Sequence, residues 1–182
     1  MVFLASELEA ARASLPVAAA LAPHAEAFRA FAADRKLSLF TTPLAAWGAI
    51  DAFTFMARCV RLAPGSFGVE VALHFQDPAQ NFVGSLRPST SNDGPRTAPT
   101  GDPVFDNGFV VEGAGLAAAL TAEARADVLE LARTGHEVIL GAAGLHLRAT
   151  LRDQPYALEQ HVEHALSAMR AIDSARRPAT YR

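Results

Sequence analysis

Cysteine is nearly absent: Cys59 is alone among 182 residues, so no internal disulfide can form. A disulfide-stapled secreted scaffold is thereby excluded. Lysine is almost as scarce, with Lys36 the one example, and the basic charge is carried by arginine. Formal net charge is −3, opposite in sign to the footprint of a nucleic-acid binder, so no nucleic-acid partner is expected. Long apolar runs are missing too. The longest uncharged stretch, Leu37 to Ile50, contains Thr41, Thr42, Pro43 and Gly48, and it falls short of the roughly 18–20 residues a membrane helix needs. At the start of the chain no basic residue precedes Val2-Phe3-Leu4, and Glu7 and Glu9 follow closely, which argues against a signal peptide. Glycine has no period of three, and no solenoid repeat is present. The expectation is a soluble, cytoplasmic chain.

Apolar residues make up 51% and charged residues 19% of the sequence. A chain of this length buries roughly 70% of its unfolded surface, enough to fold without a staple. Alanine accounts for 39 residues. With arginine replacing lysine, this composition points to a GC-rich bacterial genome rather than to a function.

Residues 1–35 read as an N-terminal helical segment in two pieces. Leu4, Leu8, Ala11 and Leu15 recur at helical spacing, and Leu21, Ala25, Phe28, Phe31 and Ala32 do so after them. Pro16 and Pro23 suit first turns, which puts a break between the pieces. Residues 36–175 follow as one α+β domain, and 176–182 as a basic tail. Leu37–Thr41 reads as a short strand stopped by Pro43. Ile50–Leu62 is apolar on both alternating faces, as in a central strand covered on two sides. Phe67–Gln76 alternates as a half-buried strand. Asp77-Pro78 ends it, and Phe82–Arg87 is expected to pair back against it. Residues 88–104, with four prolines, read as a mobile loop.

Beyond the loop, Phe105–Glu112 reads as a strand. Thr121 is a candidate N-cap and Gly135 a candidate C′ residue for a helix whose inward stripe is Ala124, Val128, Leu131 and Ala132. His136–Leu140 and Leu145–Arg152 form a hairpin about Gly141-Ala142-Ala143-Gly144. Asp153 or Gln154 is expected to cap a last helix with Pro155 in its first turn. Leu158, Val162, Ala165, Leu166, Met169 and Ile172 line one side of that helix, opposite Glu159, Glu163, Ser167 and Arg170. Short links between strands require antiparallel pairing. The fold class is therefore α+β, a mainly antiparallel sheet against a C-terminal helix.

Candidate chemistry is thin. Gly113-Ala114-Gly115-Leu116-Ala117-Ala118 matches G-x-G-x-x-A after a strand, the pattern by which glycines admit a pyrophosphate. A hairpin follows instead of a second parallel strand, which favours a plain strand-to-helix connection. His161 and His164 share a helical face and could begin a metal site, with His136 and His146 as the available further ligands. A partly exposed polar flank is the simpler reading, and no metal or cofactor is expected. Cys59, among strand aromatics, reads as a small buried hydrophobe. A Cys59–His74 dyad would be the nucleophilic alternative. Asp102, Asp106 and Glu112 could supply acid–base groups, or equally serve turns. No catalytic residue is assigned.

Gly101-Asp102-Pro103-Val104-Phe105-Asp106, then Phe109-Val110-Val111-Glu112-Gly113 and Leu120-Thr121, with the strand pair and the closing helix, resemble a bacterial module of unknown function. In related chains that module is often attached to membrane-spanning segments. The resemblance covers roughly residues 50–172 and implies an α+β accessory or sensory module. The leading functional expectation is a non-enzymatic binding or assembly module, with a protein partner or a second copy as occupant. The rival is a small-molecule or lipid pocket between sheet and last helix, lined by Phe53, Phe55, Phe67, Val69, Phe75, Val162, Leu166 and Met169.

Overall fold

The structure, a computed structural model, describes residues 21–77, 83–93, 98–152 and 154–176. The first helical piece, Pro78, Phe82, Pro95, Asp153, Arg177 and Arg182 lie outside the described residues. The fold is α+β: one eight-stranded antiparallel sheet with its helices gathered on one side. No helix among the described residues is long and apolar enough to cross a membrane.

Helix α1 (Ala22–Asp34) carries Pro23 in its first turn and buries His24, Phe28, Phe31 and Ala32. Strands β1 (Ser38–Thr41), β2 (Leu44–Ile50), β3 (Phe53–Ala63) and β4 (Ser66–Phe75) then run as an antiparallel meander. β2 was hidden in the sequence by its small residues, Ala45, Ala46, Gly48 and Ala49, which carry no β signature. β3 is central, but helices cover only one of its faces. Phe53, Phe55, Ala57 and Cys59 enter the core, whereas Thr54 and Arg58 stay partly exposed on the other side.

Three further expectations require correction. β5 (Ser85–Pro88) does not return to β4; it pairs with β6 (Phe109–Glu112) and touches β7 (Glu137–Gly141), while β8 (Gly144–Thr150) takes the place beside β4. The strand expected over Phe105–Glu112 starts only at Phe109; residues 105–108 belong to a helical turn, α2 (Pro103–Gly108). Asp102 caps it by accepting from the Val104 and Phe105 N–H groups, with Pro103 pre-set for the first position. Within the loop, Arg87 and Thr90 hold Asp93, with Arg87 Nη2 at 2.6 Å, and Thr100 Oγ1 reaches Asp106 at 2.8 Å. The last helix, α5 (Leu158–Arg176), begins later than its Pro155 suggested. The Tyr156 N–H donates to His24 Nδ1 at 3.1 Å, and this bond holds 154–157 outside the helix.

Between these elements lie α3 (Ala114–Ala119) and α4 (Ala122–Arg133). Thr121 Oγ1 accepts from the Ala124 N–H, and Gly135 takes φ +91°, so both ends of α4 fall where the sequence placed them. Leu158, Val162, Ala165, Leu166, Met169 and Ile172 of α5 are all buried against α4 and the sheet.

Candidate functional site

Strict alternation sends every second sheet residue away from the helices. On that side the side chains change character across the strands. Phe40 and Trp47 stack with ring centroids 6.5 Å apart and planes inclined by 25°. The Trp47 indole nitrogen is buried without a hydrogen-bond partner. Next to them lies a depression of about 500 Å³ lined by Met56, Arg58, Glu70, Ala72, His74, Glu137, Ile139, His146 and Arg148, among others. Glu70 sits between two guanidinium groups, Arg58 Nη2 at 2.8 Å and Arg148 Nη2 at 2.5 Å. Burial alone would raise its carboxyl, but the hydrogen bonds from Arg148 and Arg58 outweigh that and hold it below the usual range. His74 and His146 meet Nε2 to Nε2 at 2.9 Å, so that one ring donates to the other. The register explains the cluster, because Glu70 lies opposite both Arg58 on β3 and Arg148 on β8.

A second cluster lies where β7 begins and α5 starts, at His136, the residue before Glu137 of the first. His136 Nδ1 lies 3.1 Å from the Leu131 carbonyl, which can only accept, so this nitrogen bears the proton. Burial lowers the basicity of His136 and keeps it neutral, so Nε2 accepts from the Tyr156 hydroxyl at 2.5 Å. Burial also raises the Tyr156 phenol, so this pair is not poised as a phenolate nucleophile. The His161 ring sits edge-on to His136, centroids 4.3 Å apart, and beside Tyr156 at 4.8 Å. Its Nδ1 is buried with no partner.

The eight residues proposed to line an apolar pocket are brought together, as the interior of one continuous core: seven are buried and Phe67 packs against them partly exposed. His161 and His164 do not converge. His164 Nδ1 pairs with Asp127 at 2.8 Å, whereas His161 turns toward His136, and His146 lies on the opposite face of the sheet. Among the described residues no three His, Cys, Asp or Glu side chains are placed to hold a metal. Cys59 and His74 alternate to opposite faces, so they form no dyad; burial pushes the thiol up to about 12. Gly113 adopts φ +92°, and an added Cβ would lie 2.6 Å from Val83 O, so both backbone and space call for glycine. It precedes a six-residue helix and follows the edge strand β6, with no parallel partner. Asp102, Asp106 and Glu112 are engaged locally, with Arg125, Thr100 and Ser85 respectively.

The sequence reading passed over Arg58, Glu70 and Arg148, although opposite charges at matching alternation on adjacent strands were there to see. His24 gave no such signal, since its partner lies 132 positions away.

Two buried imidazoles, His24 and His136, and the half-buried His161 give the fold an acid sensitivity. His24 and His136 are lowered chiefly by burial, opposed by bonds to the Arg152 and Leu131 backbone. His161 is lowered to about 4 by burial, then by His136 and His164, against Glu130. The unfolded chain therefore takes protons first. Stability that is full above about pH 6.5 falls as pH drops toward 4. Thermal melts across that window are expected to show a falling midpoint, with a shallower slope in His161→Gln. A flat wild-type profile would contradict the burial of these rings.

Comparisons with family models, with curated proteins and with solved structures find no match to this chain.

Proposed function

We propose that this chain is a binding module, not an enzyme, and that it receives a protein partner on the helix-free face of its sheet. One observation carries the reading. The five helices among the described residues pack into one shared core on a single side of the sheet, so among those residues the other face of the eight-stranded sheet is left without helical cover. That face has the composition of a protein contact. Aromatic residues, methionine and arginine are enriched at such contacts, and here Phe40, Trp47, Met56, Arg58 and Arg148 adjoin one another around the depression. Ile139, 39% exposed, stands in the middle of β7 and lines the same depression. Charges of both signs, Arg58–Glu70–Arg148 with Glu137 near, can complement an identical surface, so a second copy is the first partner to test. Neither Cys59, a core thiol, nor Tyr156, a buried phenol, is poised as a nucleophile.

Light scattering on a sizing column is expected to give a mass above 19.2 kDa that grows with concentration, or tagged protein to retain a partner. Ile139→Glu should abolish the association without moving the melting temperature, because its side chain is on the surface. A strictly monomeric profile at every concentration, with nothing retained by wild type and lost by Ile139→Glu, would refute the reading.

A further inference from the structure

Two imidazoles in the depression of the helix-free face hold their nitrogens at the spacing of paired metal ligands. His74 on β4 faces Gly144 on β8, and His146 on β8 faces Ala72 on β4. With a small residue directly opposite each, the rings lean toward one another along the diagonal, a separation that aromatic side chains span. Their centroids stand 4.7 Å apart with planes inclined by 54°, and the two Nε2 atoms meet at 2.9 Å. His146 is exposed and His74 half-buried, and both line the depression, so the pair is reached from solvent.

Zinc–imidazole bonds are about 2.0–2.1 Å long, so nitrogens at this separation subtend about 90° at a shared ion. The tetrahedral angle needs them about 3.3–3.4 Å apart, a widening of about half an ångström that small rotations of two surface side chains supply. The lining charges do not oppose a cation: Arg58 and Arg148 are both held by Glu70, and Glu137 adds a second carboxylate. In the neutral pair one Nε2–H donates to the other Nε2. An ion takes the place of that proton, which the same ring then carries on Nδ1, so both rings stay neutral and both Nε2 lone pairs are available. Two imidazoles fill half of a four-ligand shell. A second copy turned about a two-fold axis through the ion supplies the other half, since an isologous contact presents the same patch twice. The neighbours suit close approach, with Ala72 and Gly144 small and the apolar Ile139 directly across from His146.

We propose that His74 and His146 bind a divalent metal ion of the kind that prefers imidazole, zinc foremost, and that the same pair from a second copy completes its coordination. The inference rests on the reading of this face as a contact between copies, and it names what fastens that contact.

The test is light scattering on a sizing column with calorimetric titration, using the untagged full chain in EDTA, in zinc chloride and in magnesium chloride. Zinc is expected to lower the concentration at which the chain pairs by about tenfold or more, with one ion bound per two chains. Magnesium, which prefers oxygen ligands, should do nothing. His74→Gln and His146→Gln should each weaken zinc binding by more than about a hundredfold, since losing even a group that only orients a ligand costs about 10–100-fold. Their melts in EDTA check that both variants fold, and His164→Gln, on α5 away from this face, should respond to zinc as wild type does. No zinc binding by wild type, one zinc per chain with no gain in mass, or a zinc response that survives either substitution would each overturn the site. Association in EDTA that Ile139→Glu abolishes, with no effect of zinc, would overturn this inference and leave the partner reading standing. Pairing by zinc through His74 and His146, in a chain that is monomeric in EDTA, would uphold it.

Discussion

Replacing Phe55 with alanine is expected to cost about 3–5 kcal/mol, the range for a large aromatic deleted from a packed interior. For a chain of this size that lowers the melting temperature by roughly 6–20 °C. The expectation rests on position. Phe55 is 0% exposed on the central strand β3, its ring 5.4 Å from Phe31 of α1, so it joins the sheet to the first helix. Its cross-strand neighbours are Gly48 on β2 and Leu73 on β4. Gly48 offers nothing to refill the space, and a Cβ there would meet Leu37 Cδ2 at 2.7 Å. The cavity therefore stays open. Val83→Ala is the matched control, because Val83 is 90% exposed and its truncation should leave the melt unchanged. Similar midpoints for the two variants would mean that Phe55 does not lie in the core.

Gly144→Ala is expected to be comparably severe for a different reason. A Cβ at this position would lie 1.9 Å from Leu73 O and 2.8 Å from His74 Cα, both backbone atoms of β4. Backbone cannot swing aside as a long side chain can, so β8 must separate from β4 at its first residue. A loss of about 3 kcal/mol or more follows. Gly141, at the other side of the same turn, has nothing within 4 Å of an added Cβ, and Gly141→Ala should be tolerated. Urea midpoints for the pair measure the contrast. If Gly144→Ala unfolds no earlier than Gly141→Ala, the pairing of His74 with Gly144 is not as described.

The parts legible from the sequence were those governed by neighbours in the chain. β4 could be read because Val69, Val71, Leu73 and Phe75 alternate. α4 could be read because Thr121 and Gly135 bracket it, and α5 because its stripe repeats faithfully. What escaped depends on residues far apart. β2 became a strand through Ala46↔Ala57 and Gly48↔Phe55, pairs that small side chains permit but do not announce. The start of α5 was displaced by His24, which lies a whole sheet away in sequence. The Arg58–Glu70–Arg148 trio could be glimpsed from hairpin alternation, yet its third member arrives from β8 only once the strand order is known. The buried, unpaired His161 Nδ1 had no sequence signature, since His161 occupies an ordinary flank of the helix.

The strand order β1-β2-β3-β4-β8-β7-β5-β6 has a kinetic corollary. The first four strands are sequential neighbours, and each zips to the last across a short turn. β8 instead docks on β4 from about 75 positions downstream, as in Leu73 with Leu145, and β5 meets β7 through the single pair Leu86–Leu140. Closing so long a loop is entropically expensive and slow. The meander of residues 38–75 is therefore expected to form early and the β4–β8 seam late. Substitutions at that seam should slow refolding without altering how quickly the early half collapses.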